Sequence, residues 1–485
     1  MSLVVYNSQS RKKETFSPLE AGKVRMYCCG PTVYGLLHVG NFRGAVFYNL
    51  VRNWLEVSGF KVTYVYNFTD VDDKIINRAK EENVEAKEIS ERYIEEFKKD
   101  FAALKLRSHD SNPKVSDFMA PIISMVSTLV DNKKAYVVNG EVLFSIRDFP
   151  GYGKLSGRNP EELMAGARVE IATHKRDPLD FALWKPAKEG EPSWASPWGP
   201  GRPGWHIECS AMASSILGEQ IDIHGGGMDL IFPHHENEIA QSEGATNKNF
   251  VKYWMHNNMI NFSGQKMSKS LGNITTMRDF YKEHGAEIYK YLMLSAHYRS
   301  TVDFSDDSID LAISGLSRVY SALSRVQDYI SDSSVIEKED AKFTAEITKF
   351  ENGIKEALND DFNTSEVFAR IFEAVRLFNN QVRPGLKISS EVKGKAQSLW
   401  TLIQTYGKLM SLFQEQPHQF LKQLDDRLLQ KKNVKREDID HLVEQRSQAR
   451  AQKDFAKSDE LRKQLTDMGI AVYDLANGSA WEVAK

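Results

Sequence analysis

An apolar, β-rich run from Lys23, reading Val-Arg-Met-Tyr-Cys-Cys before Gly30-Pro31 stops it, constrains this chain more than any other feature. Residues from Asn41 to Val57 then carry a helical apolar pattern. A second apolar run, Val62 to Phe68, ends in Thr69-Asp70 ahead of another long helical stretch. Strand, loop, helix, strand and helix in that order predict a βαβα unit of a parallel, doubly wound sheet. Such sheets bind ligands at the carboxyl ends of their strands.

At 485 residues the chain is too long for one ordinary domain. Residues 1–111 read as the first half of the nucleotide fold. From 112 to 204 the pattern changes to a helix, an Asn139-Gly140 hairpin signal and a stretch dense in Pro, Gly and Trp, with Trp184, Trp194 and Trp198, and Trp205 at its end. This is an insertion. The fold resumes over 205–261, where Glu219 to His224 is a strand candidate terminated by Gly225-Gly226-Gly227. A linking domain over 262–306 carries a lysine-rich loop. Beyond Asp307, Ile309, Ala312, Leu316, Val319, Leu323, Val326 and Ile330 recur at three- and four-residue steps. Similar faces at Val367–Phe378 and Leu399–Phe413 make 307–413 a helical bundle. The polar stretch 414–435 reads as a linker. Residues 436–485 read as a small α+β domain: a basic-acidic helix stopped by Met468-Gly469, a strand Ile470 to Leu475, and an Asn477-Gly478 turn before Trp481.

Composition narrows the class. No apolar run approaches the ~18 residues of a membrane span, and Met1 to Glu20 is charged, so neither export nor embedding is expected. Three cysteines, Cys28, Cys29 and Cys209, suit a reducing compartment better than a disulfide framework and point to the cytoplasm. A net charge of -3 leaves any RNA contact to local basic surfaces.

Three constellations carry chemistry. After the first strand, Gly30-Pro31-Thr32-Val33-Tyr34 leads into His38-Val39-Gly40-Asn41, where a glycine lets a helix N-terminus approach phosphate closely. Far downstream, Lys266-Met267-Ser268-Lys269-Ser270, flanked by Gly264 and Gly272, offers two ammonium groups that could clamp a triphosphate as charge develops. Each string alone is commonplace, a loop histidine and a solvated lysine pair. In this order they are what paired phosphate sites of one nucleotide fold demand. In Pro233-His234-His235-Glu236-Asn237-Glu238, the proline suits a first helical position, and His234 with Glu238 are four apart on one face. His235 has only Ile239 at that step. Cys209 and one of Cys28 and Cys29 could join them; adjacent strand residues face opposite ways, and Cys29 is nearer the ligand-binding end. Two thiolates, an imidazole and a carboxylate suit Zn²⁺ by softness and number. Spacing alone equally allows a solvated His/Glu face with buried structural cysteines.

The first two strings resemble the HIGH and KMSKS signatures of class I aminoacyl-tRNA synthetases. The second matches letter for letter; the first departs at Val39 and Asn41. Gly-Arg-Pro-Gly-Trp-His-Ile-Glu-Cys-Ser-Ala-Met ending at Met212, Asp-Ile-His-Gly-Gly-Gly ending at Gly227, and Phe-Pro-His-His-Glu-Asn-Glu closing at Glu238 are similar to signatures of the cysteinyl-tRNA synthetase family. That likeness runs from the N-terminal strand to Ser270 and more loosely to the end. It implies a Rossmann-type parallel sheet with a connective insertion, then a helical bundle and a C-terminal anticodon-binding domain. It implies ATP-dependent activation of L-cysteine and transfer to tRNA(Cys). Cys29, Cys209, His234 and Glu238 become ligands of one zinc ion that tells cysteine from serine, and Thr69, Trp205 and His224 line the cysteine pocket. His38, Gly40, Asn41, Lys266 and Lys269 serve ATP, which arrives with Mg²⁺. Arg446, Arg450 and Arg462, on a helix beside a strand and Trp481, are candidates to hydrogen-bond and stack unpaired bases. Two other readings share some of these residues. A cysteine ligase acting on a small amine would not need the long bundle and C-terminal unit, and a non-catalytic zinc and RNA-binding protein would not need both nucleotide motifs.

Overall fold

The computed structural model describes residues 2–159, 174–262, 265–266, 275–383, 386–475 and 478–485, so Gly264, Lys269, Ser270, Gly272 and Asn477 lie outside the described residues. Two compact units emerge. One holds residues up to 278 with 296–302 and 358–363, and the other holds 279–295, 303–357 and 364–485.

In the first unit, β1 (Val4–Asn7) and β2 (Lys12–Thr15) form a hairpin. Next come β3 (Lys23–Cys28), β4 (Lys61–Tyr66), β5 (Ala135–Val138), β6 (Glu141–Phe144), β7 (Phe181–Pro186), β8 (Gly201–Pro203), β9 (Ile221–Gly227) and β10 (Val251–Asn257). The central sheet runs β10-β9-β3-β4, every pair parallel. The helix Val39–Val57 makes the crossover from β3 to β4. Since β4 lies on one side of β3 while β9 and β10 lie on the other, the winding reverses between β3 and β9, and the ligand crevice opens at their carboxyl ends. There Cys28 pairs with Gly225.

The three glycines were expected to end β9, yet they lie within it. Close approach explains them: a Cβ on Gly225 would come within 2.6 Å of the Tyr48 ring and 2.7 Å of the Cys28 sulfur. The Asn139-Gly140 turn is as expected, with φ of 50° and 79° joining β5 to β6. It opens an antiparallel sheet, β5-β6-β7-β8. This insertion is no separate ball. Val126, Leu129, Phe144 and Trp184 share one buried core with Ile207, Met212, Ile221 and Trp254 of the nucleotide fold.

The second unit carries the expected bundle in helices Asp306–Ser331, Ala341–Asn359, Thr364–Gln381 and Ser390–Met410. Residues 414–435, expected as a linker, instead carry the helix Pro417–Lys431. Phe420, Leu424 and Leu429 are buried among polar residues, and Pro417 sits at the first turn, where its missing N–H costs nothing. The single terminal helix expected is two, Arg436–Ala451 and Phe455–Asp467, broken at Lys453 with φ of 63° and restarted by Asp454, whose carboxylate accepts from Lys457 N–H. A hairpin of Ile470–Leu475 with Gly478–Val483 closes the unit over Leu429, Ile439, Val443 and Leu465. Among the described residues no helix is long and apolar enough to cross a membrane.

Candidate functional site

Four elements converge at the carboxyl end of β3. Cys29 follows that strand directly, and Cys209 lies on the helix Trp205–Leu217. His234 belongs to a wide turn, Ile231–His235, and Glu238 to the first turn of the helix Glu236–Thr246. Pro233, expected to open that helix, instead follows a cis peptide bond inside the wide turn. The Cys29 sulfur stands 3.7 Å from the Cys209 sulfur, 3.4 Å from His234 Nε2 and 3.4 Å from Glu238 Oε1. His234 Nε2 and Glu238 Oε1 are 3.1 Å apart.

These spacings test the donors against a metal. A tetrahedral zinc with bonds of 2.3 Å to sulfur and about 2.0–2.1 Å to nitrogen and oxygen has edges of about 3.8 Å between sulfurs, 3.5 Å from sulfur to nitrogen and 3.4 Å from nitrogen to oxygen. These four edges fit within a few tenths of an ångström, all four ligand atoms lie within 4.8 Å of one another, and three of the four residues are buried. An overlapping set, Cys29, His224, His235 and Glu238, also lies within 4.8 Å but offers one sulfur only. Cys28 points to the opposite face, against Tyr64 and the Gly225 backbone, where burial pushes its thiol up.

Charge binds the tetrad together. Burial alone would lower His234, but the Glu238 carboxylate and the Cys209 sulfur override it and hold the imidazole up to about 10. Burial likewise opposes ionisation of Glu238, yet His224 and His234 bring it down to about 2. The Cys29 thiol, donating to Cys209, brings that sulfur to about 6. A dication would take over the role these mutual pairings play.

Behind the tetrad stands a layer that the sequence reading missed. His206 and His234 meet through their Nδ1 atoms at 2.9 Å, and His235 Nδ1 lies 2.8 Å from His256 Nε2, whose ring reaches Ser8 Oγ at 2.8 Å. His206 and His235 are held well below the ordinary imidazole range, burial first and neighbouring histidines next, and His256 is lowered to about 3 by the same causes. His206 and His235 stood in the same strings as the ligands while His256 did not, and the pairings are tertiary and leave no spacing signal.

Of the residues tied to the cysteine pocket, Thr69 is buried, its hydroxyl donating to Glu208 at 3.3 Å. Trp205 is 41% exposed and lays its ring over His234 at 4.4 Å. His224 is wholly buried, its Nε2 2.9 Å from Glu238 Oε2.

Beside the tetrad, a cavity of about 350 Å³ is lined by Cys29, His38, Gly40, Asn41, Gly226 and Gly227, among others. His38 stands at the N-cap of the helix Val39–Val57, and Asn41 Oδ1 accepts from the His38 N–H at 3.1 Å. The helix start thus faces the cavity, the arrangement that holds phosphate. Lys266 is described as backbone, in a short strand paired with Ile260–Phe262, which lines the same cavity.

Three of the four C-terminal candidates have partners within their own unit. Arg446 is 3% exposed, and its guanidinium forks onto the Asp474 carboxylate at 2.7 and 3.2 Å; Arg450 pairs with the same carboxylate. Trp481 donates its indole N–H to Asp440 at 2.7 Å and lies under the Arg436 guanidinium, 4.5 Å from its ring centre. Asp474 and Asp440 thus pair with these three side chains within the unit; of the three, Arg446 alone is buried. Arg462 is exposed.

Comparison with known proteins agrees with this geometry. Residues 15–314 match the model of the class I (C) tRNA synthetase catalytic domain, 353–414 the DALR domain, and 436–481 the cysteinyl-tRNA ligase anticodon binding domain. The cysteine–tRNA ligase of Bdellovibrio bacteriovorus is 60% identical over 483 residues, covering 100% of both chains. That of Syntrophotalea carbinolica is 45% identical, covering 99% of this chain and all of the relative. Among solved structures, a Mycobacterium tuberculosis methionyl-tRNA synthetase in complex with methionyl-adenylate superposes with a TM-score of 0.60 at 14% identity, over 82% of this chain and 95% of the other. An Agrobacterium radiobacter leucyl-tRNA synthetase bound to tRNA gives 0.57 at 12%, over 82% of this chain and 85% of the other. With identity this high from end to end and a catalytic-domain match spanning the whole tetrad and cavity, the chain belongs to the cysteinyl-tRNA synthetase family of class I aminoacyl-tRNA synthetases.

Proposed function

We propose that this cysteine–tRNA ligase holds one zinc ion on Cys29, Cys209, His234 and Glu238, seats L-cysteine against it, and takes ATP with Mg²⁺ in the adjoining cavity. One observation carries the reading: Cys29 belongs both to a tetrad with zinc-sized edges and to the cavity at the helix start. Zinc bound there would supply selection for a thiolate over a serine hydroxyl, which pocket shape alone does poorly.

The remaining work is positioning. The carboxylate of cysteine attacks the α-phosphorus of ATP and pyrophosphate leaves, a reaction needing alignment and charge stabilisation rather than a protein nucleophile. His38, Gly40 and Asn41 hold the phosphates at the helix start, and Lys266 and Lys269 neutralise the departing charge. Thr69 and Trp205 flank the amino acid, and His224 fixes the carboxylate of Glu238. The activated acyl group then passes to the terminal adenosine of tRNA(Cys), whose anticodon is read by residues 436–485. Sparse, unpaired cysteines support work in the reducing cytoplasm.

Cysteine-dependent ATP–pyrophosphate exchange, followed beside zinc content, tests the reading. Wild-type protein should hold about one zinc per chain, and Cys209→Ser should lose both metal and cysteine affinity. Full cysteine activation by a zinc-free Cys209→Ser protein would overturn it.

A further inference from the structure

Arg43 stands two residues past Asn41 on the helix Val39–Val57 and is only 2% exposed. A guanidinium taken out of water needs acceptors for its N–H groups. Four of the acceptors here are main-chain carbonyls, drawn from two separate stretches of chain. Nη1 donates to the carbonyls of Asn258 and Met259 at 2.7 and 2.6 Å, and Nη2 donates to those of Tyr298 and Ser300. The two stretches are also tied to each other, Asn258 N–H donating to the Tyr298 carbonyl at 2.8 Å and Val302 N–H to that of Met259 at 3.3 Å. Gly44, next along the helix, approaches the first stretch so closely that a Cβ on it would stand 3.1 Å from Asn257 Oδ1. The stretch so clamped leads straight into the strand Ile260–Phe262, whose Asn261 pairs with Lys266. Asn258, Met259 and Ile260 line the same cavity as Gly40, Asn41 and Gly44 of the helix. Past the lysine-rich stretch the chain returns to that helix: Val39 N–H donates to the Thr275 carbonyl at 3.1 Å, and Met277 N–H to that of Leu37 at 2.9 Å. Both ends of the stretch are thereby fixed to the helix start, the incoming end by backbone and the outgoing end by the Arg43 side chain.

We propose that Arg43 is a positioning residue for the activation step: its planar fork holds the strand pair carrying Lys266 at a fixed distance from the helix start that receives the phosphates. This rests on the reading of Lys266 as a partner of the departing pyrophosphate. Lysine at position 43 would keep the charge but not the fork, so it could not hold all four carbonyls in one plane. A group displaced by about 1 Å from its working position can cost on the order of 100-fold in rate, even when the change lies away from the chemistry. The tetrad hangs instead on the end of β3, the helix Trp205–Leu217 and the segment Ile231 to Glu238, so cysteine should bind as before.

Cysteine-dependent ATP–pyrophosphate exchange by the full-length protein tests this through a double-mutant cycle. Arg43→Lys should lower kcat about 10-fold while the KM for cysteine stays within about twofold. In a Lys266→Ala background the same Arg43→Lys change should cost less than about twofold, because the group it positions is already gone. A loss of full size in that background overturns the proposal, since Arg43 would then act independently of Lys266. So does a cysteine KM that rises in step with the fall in kcat, the mark of a site loosened as a whole. If Lys266→Ala alone leaves exchange unchanged, the phosphate reading of that lysine falls and takes the proposal with it, whereas additive losses sink the proposal and spare the reading. Should Arg43→Lys not fold, Arg43→Gln, which keeps two donors, takes its place in the cycle. If neither variant folds, Arg43 serves the fold rather than the reaction, and the proposal is overturned.

Discussion

Glu238 splits its two oxygens between two histidines: Oε1 stands 3.1 Å from His234 within the tetrad, while Oε2 stands 2.9 Å from His224 behind it. Both groups of the second contact are wholly buried. A carboxylate so held has one orientation, and its free rotation is removed before any ligand arrives.

His224→Ala should therefore leave the chain folded but weaken metal binding by ~10- to 100-fold, the usual effect of losing a partner that orients a metal ligand. Competition against a zinc chelator measures it. Unchanged affinity would mean that Glu238 is fixed by other contacts.

Gly40 faces the His38 ring, and a Cβ there would come within 2.9 Å of it. Gly40→Ala should raise helix stability slightly, since Ala outranks Gly by about 1 kcal/mol, while displacing His38. We expect unchanged or higher melting temperature together with ATP–pyrophosphate exchange lowered by ~10-fold, about 1.4 kcal/mol in the barrier. Equal loss of stability and activity would refute the separation.

In the C-terminal unit, Arg446→Ala breaks a forked pair with Asp474 and should destabilise the terminal hairpin by ~1–2 kcal/mol, discounted because that carboxylate is partly exposed. Arg462→Ala, on an exposed head, should stay within about 0.5 kcal/mol. Hydrogen exchange of strand Ile470–Leu475 distinguishes them, and charging of tRNA by folded Arg462→Ala then tests a contact unmixed with stability.

These arginines show where the sequence was readable and where it was not. The strings around His38, Lys266, Cys209 and Glu238 pointed to the candidate site because each groups several chemical residues within a few positions. A parallel, doubly wound sheet holding β3, β4 and β9 followed from apolar runs and their breaks, whereas β10 and the order of the strands were not foreseen. Asp474 lies 28 residues from Arg446, and no local pattern announces that pair. Of the five buried positions in the helix Pro417–Lys431, only Phe420, Leu424 and Leu429 are large apolar residues, scattered among Lys, Gln and Asp, so the segment looked like a polar tether. The histidine layer behind the tetrad was hidden for a related reason: His206, His235 and His256 come from three elements that only the folded sheet brings together.

Acid should act through His109. Burial first and the Arg52 charge next lower its pKa to about 4, well beneath the ordinary imidazole value of about 6.5. It stacks on Tyr66 at 4.6 Å, with Asn112 bonding its Nδ1. Because the folded state disfavours the charged ring, its contribution is complete above about pH 6.5 and lost as pH falls toward 4. His109→Phe should flatten the decline of the urea midpoint between pH 6.5 and 4 without altering it at pH 8. A slope identical to wild type would assign acid sensitivity elsewhere.

The strand order also sets a timetable for synthesis. β3 gains β4 almost at once, but its other neighbour, β9, begins only at Ile221. At elongation rates of about 5–20 residues per second, one edge of the central strand stays unpaired for roughly ten to forty seconds on the ribosome. Cys29, at the end of that strand, waits as long for His234 and Glu238. A nascent chain of this enzyme therefore carries an open sheet edge and an incomplete thiol site through nearly half of its translation, the interval in which holding chaperones and cellular reductants have most to protect.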